Sequence, residues 1–163
     1  MKEKDYIYIT EFFRKTKLRE NLLRLSSKSL PLVVVLIYFI CILYLFIKKD
    51  SKIIFFVLIP AIDFIFITLF RKYINAIRPY DKFSFTPVVK YEHGKGKSFP
   101  SRHTASAFII AMACLYLNFY LGLFMFLLAV LIGFTRIASG VHFPKDVIAG
   151  MIISTIFGYI FFF

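Results

Sequence analysis

Residues 104–135 read TASAFIIAMACLYLNFYLGLFMFLLAVLIGFT, 32 residues without a single charge. A helix crossing a bilayer needs about 20 apolar residues. The run is too long for one crossing and fits two short ones, with Asn118 and Gly122 near its middle marking the turn. Outward from it, charges punctuate the chain. An uncharged stretch between Lys28 and Lys48, with Pro31 near its start, predicts one span. The stretch between Lys52 and Arg71, interrupted only by Pro60 and Asp63, predicts a second, and Val147–Phe163 a last. The expected fold class is all-α: a multi-pass membrane helical bundle of about five transmembrane helices, preceded by an interfacial amphipathic helix.

Composition agrees. Sixty per cent of the residues are hydrophobic and 22 of 163 are Phe, more apolar surface than a water-soluble domain of this size can hide. The net charge of +12 comes from Lys and Arg that mostly flank apolar runs. That placement argues against nucleic-acid binding and for membrane lipids or an anionic substrate. Cys41 and Cys114 lie inside apolar runs, and neither a disulfide framework nor a metal-type Cys/His cluster is present, so no cofactor is expected. Residues 1–29 lack a cleavable signal pattern. Their Phe12, Phe13, Leu18, Leu22, Leu23 and Leu25 alternate with Arg14, Lys15, Lys17, Arg19 and Arg24, which suits a helix lying in the interface, a frayed polar tail being the alternative. The chain divides accordingly into 1–29 and a transmembrane unit, 30–163, containing a basic loop at 71–103.

Five spans put the end of the second, the start of the third, the end of the fourth and the start of the fifth on one side of the membrane. Three segments meet there: RKYINAIRP (71–79), PSRH (100–103) and TRIASGVHFPKD (135–146). Arg71 and Arg78 are seven residues apart, so on a continuing helix they share a face and can grip a phosphate; Lys72 points elsewhere. Ser101 stands where a helix N-cap belongs, and the free N–H groups behind it suit an anion. His103 falls in the same turn. Asp146 lies four residues after His142, so its carboxylate can bind one imidazole nitrogen and leave the other free to attack. Alone, each segment also reads as ordinary helix-end chemistry. Together they bring arginines, two histidines and one carboxylate to one membrane face, which is what phosphoryl transfer without a metal requires.

The three segments resemble the signature of the type-2 phosphatidic acid phosphatase superfamily: Lys-x6-Arg-Pro, then Pro-Ser-Gly-His, then Ser-Arg-x5-His-x3-Asp. The likeness spans about residues 71–146, in order and with the spacing inside each motif kept. It implies a membrane hydrolase that removes phosphate from a lipid through a phosphohistidine. By position, His142 would be the nucleophile, Asp146 its orienter and His103 the general acid, with Arg71, Arg78, Ser101, Arg102 and Arg136 on phosphate. Arg71 stands where the family has Lys, Thr135 where it has Ser, and Arg102 where it has Gly. The last departure leaves Arg102 with either a backbone fit of its own or a role on substrate.

A short chain with five spans is similar to the undecaprenyl diphosphate phosphatases of this family, making a polyprenyl diphosphate the favoured substrate. Phosphatidylglycerophosphate, phosphatidate and lipid A are the alternatives. Lys72, Lys82, Lys90, His93, Lys95 and Lys97 could meet a second phosphate or headgroup, or form a solvated basic loop. The resemblance implies a site facing away from the cytoplasm, whereas only Lys48, Lys49 and Lys52 lie on the opposite face, which the positive-inside rule would read the other way. Asp63, inside a span, is a functional candidate or a residue bonded to a neighbouring helix. A phosphotransferase with the same site, or a non-catalytic lipid-binding or transport protein, are the rival readings. Oligomeric state is open.

Overall fold

Two short polar side chains start two of the helices. Thr16 Oγ1 accepts from the Arg19 N–H at 3.4 Å, and Asn118 Oδ1 from the Leu121 N–H at 3.0 Å, each satisfying a donor that a helix start leaves free. The computed structural model describes all 163 residues. Its elements are α1 (Glu3–Arg14), α2 (Lys17–Lys48), α3 (Lys52–Ile74), the single turn α4 (Pro79–Lys82), α5 (Arg102–Leu117), α6 (Phe119–Ala138) and α7 (Pro144–Phe162). The chain is all-helical, and α2, α3, α6 and α7 are long and apolar enough to cross a membrane. Their outward faces carry large exposed apolar side chains such as Leu36, Phe39, Phe55, Leu127 and Ile156, the surface that lipid covers.

The expected third span, α5, has only 16 residues, about 24 Å of helix against a hydrocarbon core of about 30 Å. It is the central helix: Ala105, Ala107, Ala111, Ala113 and Cys114 are all buried, and it packs against α2, α3, α6 and α7. Enclosed by protein, it does not need to match the bilayer. Asn118 alone turns α5 into α6. Gly122, expected in that turn, is instead inside α6, where a Cβ would run into the backbone of Leu115.

On α7 the residues Asp146, Gly150, Ser154, Gly158 and Phe162 recur every fourth position and are all buried, a stripe along one helix face. A Cβ at Gly150 would sit 2.8 Å from the Ser101 carbonyl. Glycine there lets α7 press against the first turn of α5, where the sequence places its motifs. Ser154 Oγ donates to Asp63 Oδ2 at 2.9 Å, tying α7 to α3. Asp63 is thus the helix-bonded residue of the two readings, with no exposed surface.

The N-terminal region differs from a single helix over 1–29. Helix α1 ends at Arg14, and α2 starts at Lys17 and runs unbroken through Pro31. At 32 residues, α2 is about 48 Å long, well beyond a bilayer core. Its polar first turns therefore stand beside the loop ends of α3, α5, α6 and α7.

Candidate active site

Arg78 precedes Pro79, and a residue before proline is pushed out of helical geometry. Arg78 has φ −83° and ψ 157°, and α3 has already stopped at Ile74, capped by Asn75 in the left-handed region at φ 43°. Arg71 and Arg78 therefore do not share one helix face, as the spacing alone suggested. They approach across a turn instead. The Arg71 guanidinium donates to the Pro100 carbonyl. Arg78 Nε donates to the Gly96 carbonyl at 3.0 Å and Nη1 to that of Val141 at 3.4 Å. The positive charges of Arg78 and Arg102 both act on Arg71.

The α6–α7 loop builds the histidine. Gly140 follows the end of α6 with φ +79°, and a Cβ there would lie 2.6 Å from the Phe85 ring, so both the turn and the close approach require glycine. The Arg136 carbonyl accepts the N–H groups of Val141 at 3.2 Å and His142 at 3.3 Å. Pro144 then opens α7 with its fixed φ. The result places Asp146 Oδ2 3.5 Å from His142 Nδ1. That is longer than an ordinary hydrogen bond of about 2.9 Å, because the same oxygen already accepts from Ser98 Oγ at 2.5 Å and the Phe143 N–H at 3.0 Å. Ser98 Oγ also lies 3.4 Å from His142 Nδ1. Nδ1 thus faces Asp146 and Ser98, leaving Nε2 as the nitrogen without an assigned partner.

His142 is 2% exposed, and burial holds its imidazole down to about 4; the Asp146 contact raises it, while the Arg78 and Arg71 charges lower it. At neutral pH the ring is uncharged and its lone pair available. Ser101 occupies the N-cap position of α5 but makes no side-chain cap, contrary to expectation. Its hydroxyl accepts from Thr104 Oγ1 at 2.9 Å, and its N–H donates to the Asp146 carbonyl at 2.8 Å. The free N–H groups of the α5 start remain. His103, on that turn, is close enough to Arg136, His142, Arg102 and Arg71 for their charges to act on it.

Arg136 is buried, with Nη2 donating to the Ser27 carbonyl of α2, and its charge interacts with that of Arg78. His142, His103, Asp146, Arg71, Arg78, Ser101, Arg102 and Arg136 are therefore one cluster at the helix ends. The basic loop divides. His93 Nδ1 is 2.9 Å from Asp81 Oδ1, and Lys95 pairs with Glu92 at 2.8 Å, both exposed. Lys90 lines a cavity with Arg136, whereas Lys72 and Lys97 are exposed and line neither that cavity nor the one beside His103.

Two contributors were invisible in the sequence. Ser98, fully buried, is one of three serines in the basic loop, and no local pattern marks it out. Tyr6 of α1 donates to the His142 carbonyl at 3.4 Å and stacks on Phe85 at 5.1 Å between centroids. Burial raises its phenol above the ordinary value, keeping it a neutral donor. Arg14 donates to the Pro87 carbonyl at 2.9 Å, and Glu3 accepts from the Ser84 N–H at 2.9 Å, so α1 is packed onto the loop.

A helical bundle with two imidazoles, several guanidiniums and one oriented carboxylate at a helix start is the architecture of a membrane phosphatase of phosphatidic acid phosphatase type. The chain matches the model of the PAP2 superfamily over residues 52–163 and belongs to that superfamily. It is 39% identical over 70 residues to undecaprenyl-diphosphatase BcrC of Bacillus subtilis (strain 168), covering 43% of this chain and 36% of that protein. It is 37% identical over 78 residues to the lipid A 4'-phosphatase of Bacteroides thetaiotaomicron, covering 47% and 35%. These matches span about a third of each curated relative's length. Among solved structures, Aquifex aeolicus LpxE superposes with a TM-score of 0.73 at 27% identity, covering 96% of this chain and 92% of that one. A phosphatidylglycerolphosphate phosphatase from Bacillus subtilis superposes with a TM-score of 0.61 at 19% identity, covering 95% and 89%, a likeness of fold.

Proposed function

We propose that this chain hydrolyses a lipid phosphate or diphosphate through a phosphohistidine, with a polyprenyl diphosphate as its substrate. The observation that carries the reading is the geometry of His142: a buried neutral imidazole whose Nδ1 faces Asp146 at 3.5 Å and whose Nε2 is left for attack. In the first step Nε2 bonds to phosphorus as the bond to the leaving oxygen breaks, and His103, protonated once the anionic substrate offsets the guanidiniums around it, gives that oxygen its proton. In the second, His103 takes a proton from water, whose oxygen attacks phosphorus; the P–N bond breaks and inorganic phosphate leaves. Arg71, Arg78 and Arg136 with the α5 N–H groups neutralise the equatorial oxygens. Guanidiniums supply that charge, so the reading invokes no metal and activity persists in EDTA.

The leaving group has a place. A cavity of about 210 Å³ opens beside His103, with Arg102, Phe64, Pro31, Val34 and Ile132 in its lining. An apolar chain would lie along its walls, with Arg102, whose guanidinium sits 5.5 Å from the centre of the Phe64 ring, over the oxygens nearest His103. Lys90, beside Arg136, is the retained loop contact; Lys72 and Lys97 have no such support. The likeness to a lipid A 4'-phosphatase favours lipid A as a second reading. The active site faces away from the cytoplasm, α1 lies at that surface against the loop, and α2 belongs to the catalytic unit from Lys17 onward.

Phosphate release in detergent from undecaprenyl diphosphate, phosphatidylglycerophosphate, phosphatidate and lipid A tests both readings. Release is expected to be fastest from the diphosphate and nearly abolished by His142→Ala. Retention of activity in that variant would falsify the mechanism, and preference for lipid A would replace the substrate. Transfer of the phosphoryl group to an added lipid alcohol would instead mark a phosphotransferase.

A further inference from the structure

A second cavity, of about 590 Å³, lies one helical turn from the first along the seam between α2 and α6. Its lining includes Arg24, Ser27 and Lys28 of α2, Lys90 of the loop and Arg136 of α6, and no carboxylate lines it. Arg24 is held by Glu20 at 2.5 Å, but Lys28 and Lys90 form no ion pair. Two of the lining side chains are more than nine-tenths buried and carry polar atoms without hydrogen-bond partners: Ser27 Oγ and Arg136 Nε. Buried donors left unpaired are costly, and a native fold keeps few of them. Cations without counter-charge and orphaned donors in one cavity are the complement of an anion rich in acceptor oxygens.

We propose that this cavity is a second phosphate subsite, distinct from the His142 site and coupled to it through Arg136. The guanidinium of Arg136 interacts electrostatically with Arg78 and His103 on the catalytic side while its residue lines the cavity on the other. The occupant is a phosphate group: either the non-scissile phosphate, which departs with the lipid headgroup, or free inorganic phosphate after turnover. The proposal rests on the phosphatase reading for its role in turnover, though not for binding itself. It explains why α2 extends past the membrane core: the extra turns carry Arg24 and Lys28 to the level of Arg136.

The test compares the wild type, Lys28→Gln/Lys90→Gln and the charge-keeping Lys28→Arg/Lys90→Arg in detergent. The readouts are KM on a polyprenyl diphosphate and on the corresponding monophosphate, and the inhibition constant of inorganic phosphate. Loss of the two charges is expected to raise the ratio of diphosphate to monophosphate KM, or the phosphate inhibition constant, about tenfold, the scale of one charge-assisted contact. The arginine variant is expected to restore it. A change in the KM ratio assigns the phosphate to the headgroup; a change in inhibition alone assigns it to the free ion. Wild-type values for both in the glutamine variant, or an equal fall in kcat on both lipids, overturn the subsite. If the wild type releases phosphate from neither lipid, the phosphatase reading fails by itself. The cavity is then tested by the rise in Tm that inorganic phosphate produces: a rise absent from the glutamine variant upholds it, and an equal rise overturns it.

Discussion

His142 has its imidazole depressed to about 4 by burial, against about 6.5 in an unfolded chain. As pH falls, the unfolded chain takes up the proton first. The stabilisation from this group is complete above about pH 6.5 and is lost as pH falls towards 4. Melting temperature against pH, in detergent, is expected to fall more steeply over that window for the wild type than for His142→Gln; parallel curves would contradict the burial argument. Much of the cluster was legible: His142, Asp146, His103 and the arginines all lie in the three segments, but the helix face expected of Arg71 and Arg78 does not form, because α3 stops at Ile74. Ser98 was not, because its bond to Asp146 at 2.5 Å joins residues 48 apart and depends on how the loop returns to α7. The hydrogen-bonded oxygen of Asp146 also had a tighter neighbour than spacing could foresee.

Among the elements, α7 has the strictest packing demand. Gly150 leaves no room for a Cβ against the Ser101 carbonyl, and Asp146 sits one turn away on the same stripe. Gly150→Leu is expected to cost about 1–3 kcal/mol of stability and to lower phosphate release more than Ile152→Leu on the exposed face, as measured by thermal melting and by release in parallel. Equal behaviour of the two variants would remove the close approach from the account. Hydropathy made α2, α3, α6 and α7 readable, because lipid-facing helices must be apolar along most of their length. The helix break at Lys15–Thr16 and the stop of α3 at Asn75 were harder to read. Both are set by single residues whose local turn outweighs the helical pattern around them. The role of α1 was also hidden, since an amphipathic face does not say whether lipid or protein covers it; Tyr6 and Arg14 reach the loop behind His142.

For the whole molecule, the distribution of Lys and Arg and the resemblance to the family point to opposite orientations. The reading adopted puts the basic loop outside the cytoplasm. Both native cysteines are buried, so a cysteine placed at exposed Lys95 reports sidedness cleanly. Lys95→Cys is expected to react with a membrane-impermeant maleimide in intact cells, and protection until lysis would reverse the orientation. The account as a whole depends on one phosphoryl group being able to touch both histidines and the guanidiniums at once. A crystal structure with vanadate bound measures that directly. Expected is vanadium bonded to Nε2 of His142, with Arg78 and Arg136 on its equatorial oxygens and His103 on the apical one. Vanadate bound away from His142, or held by arginines with no bond to the imidazole, would contradict it.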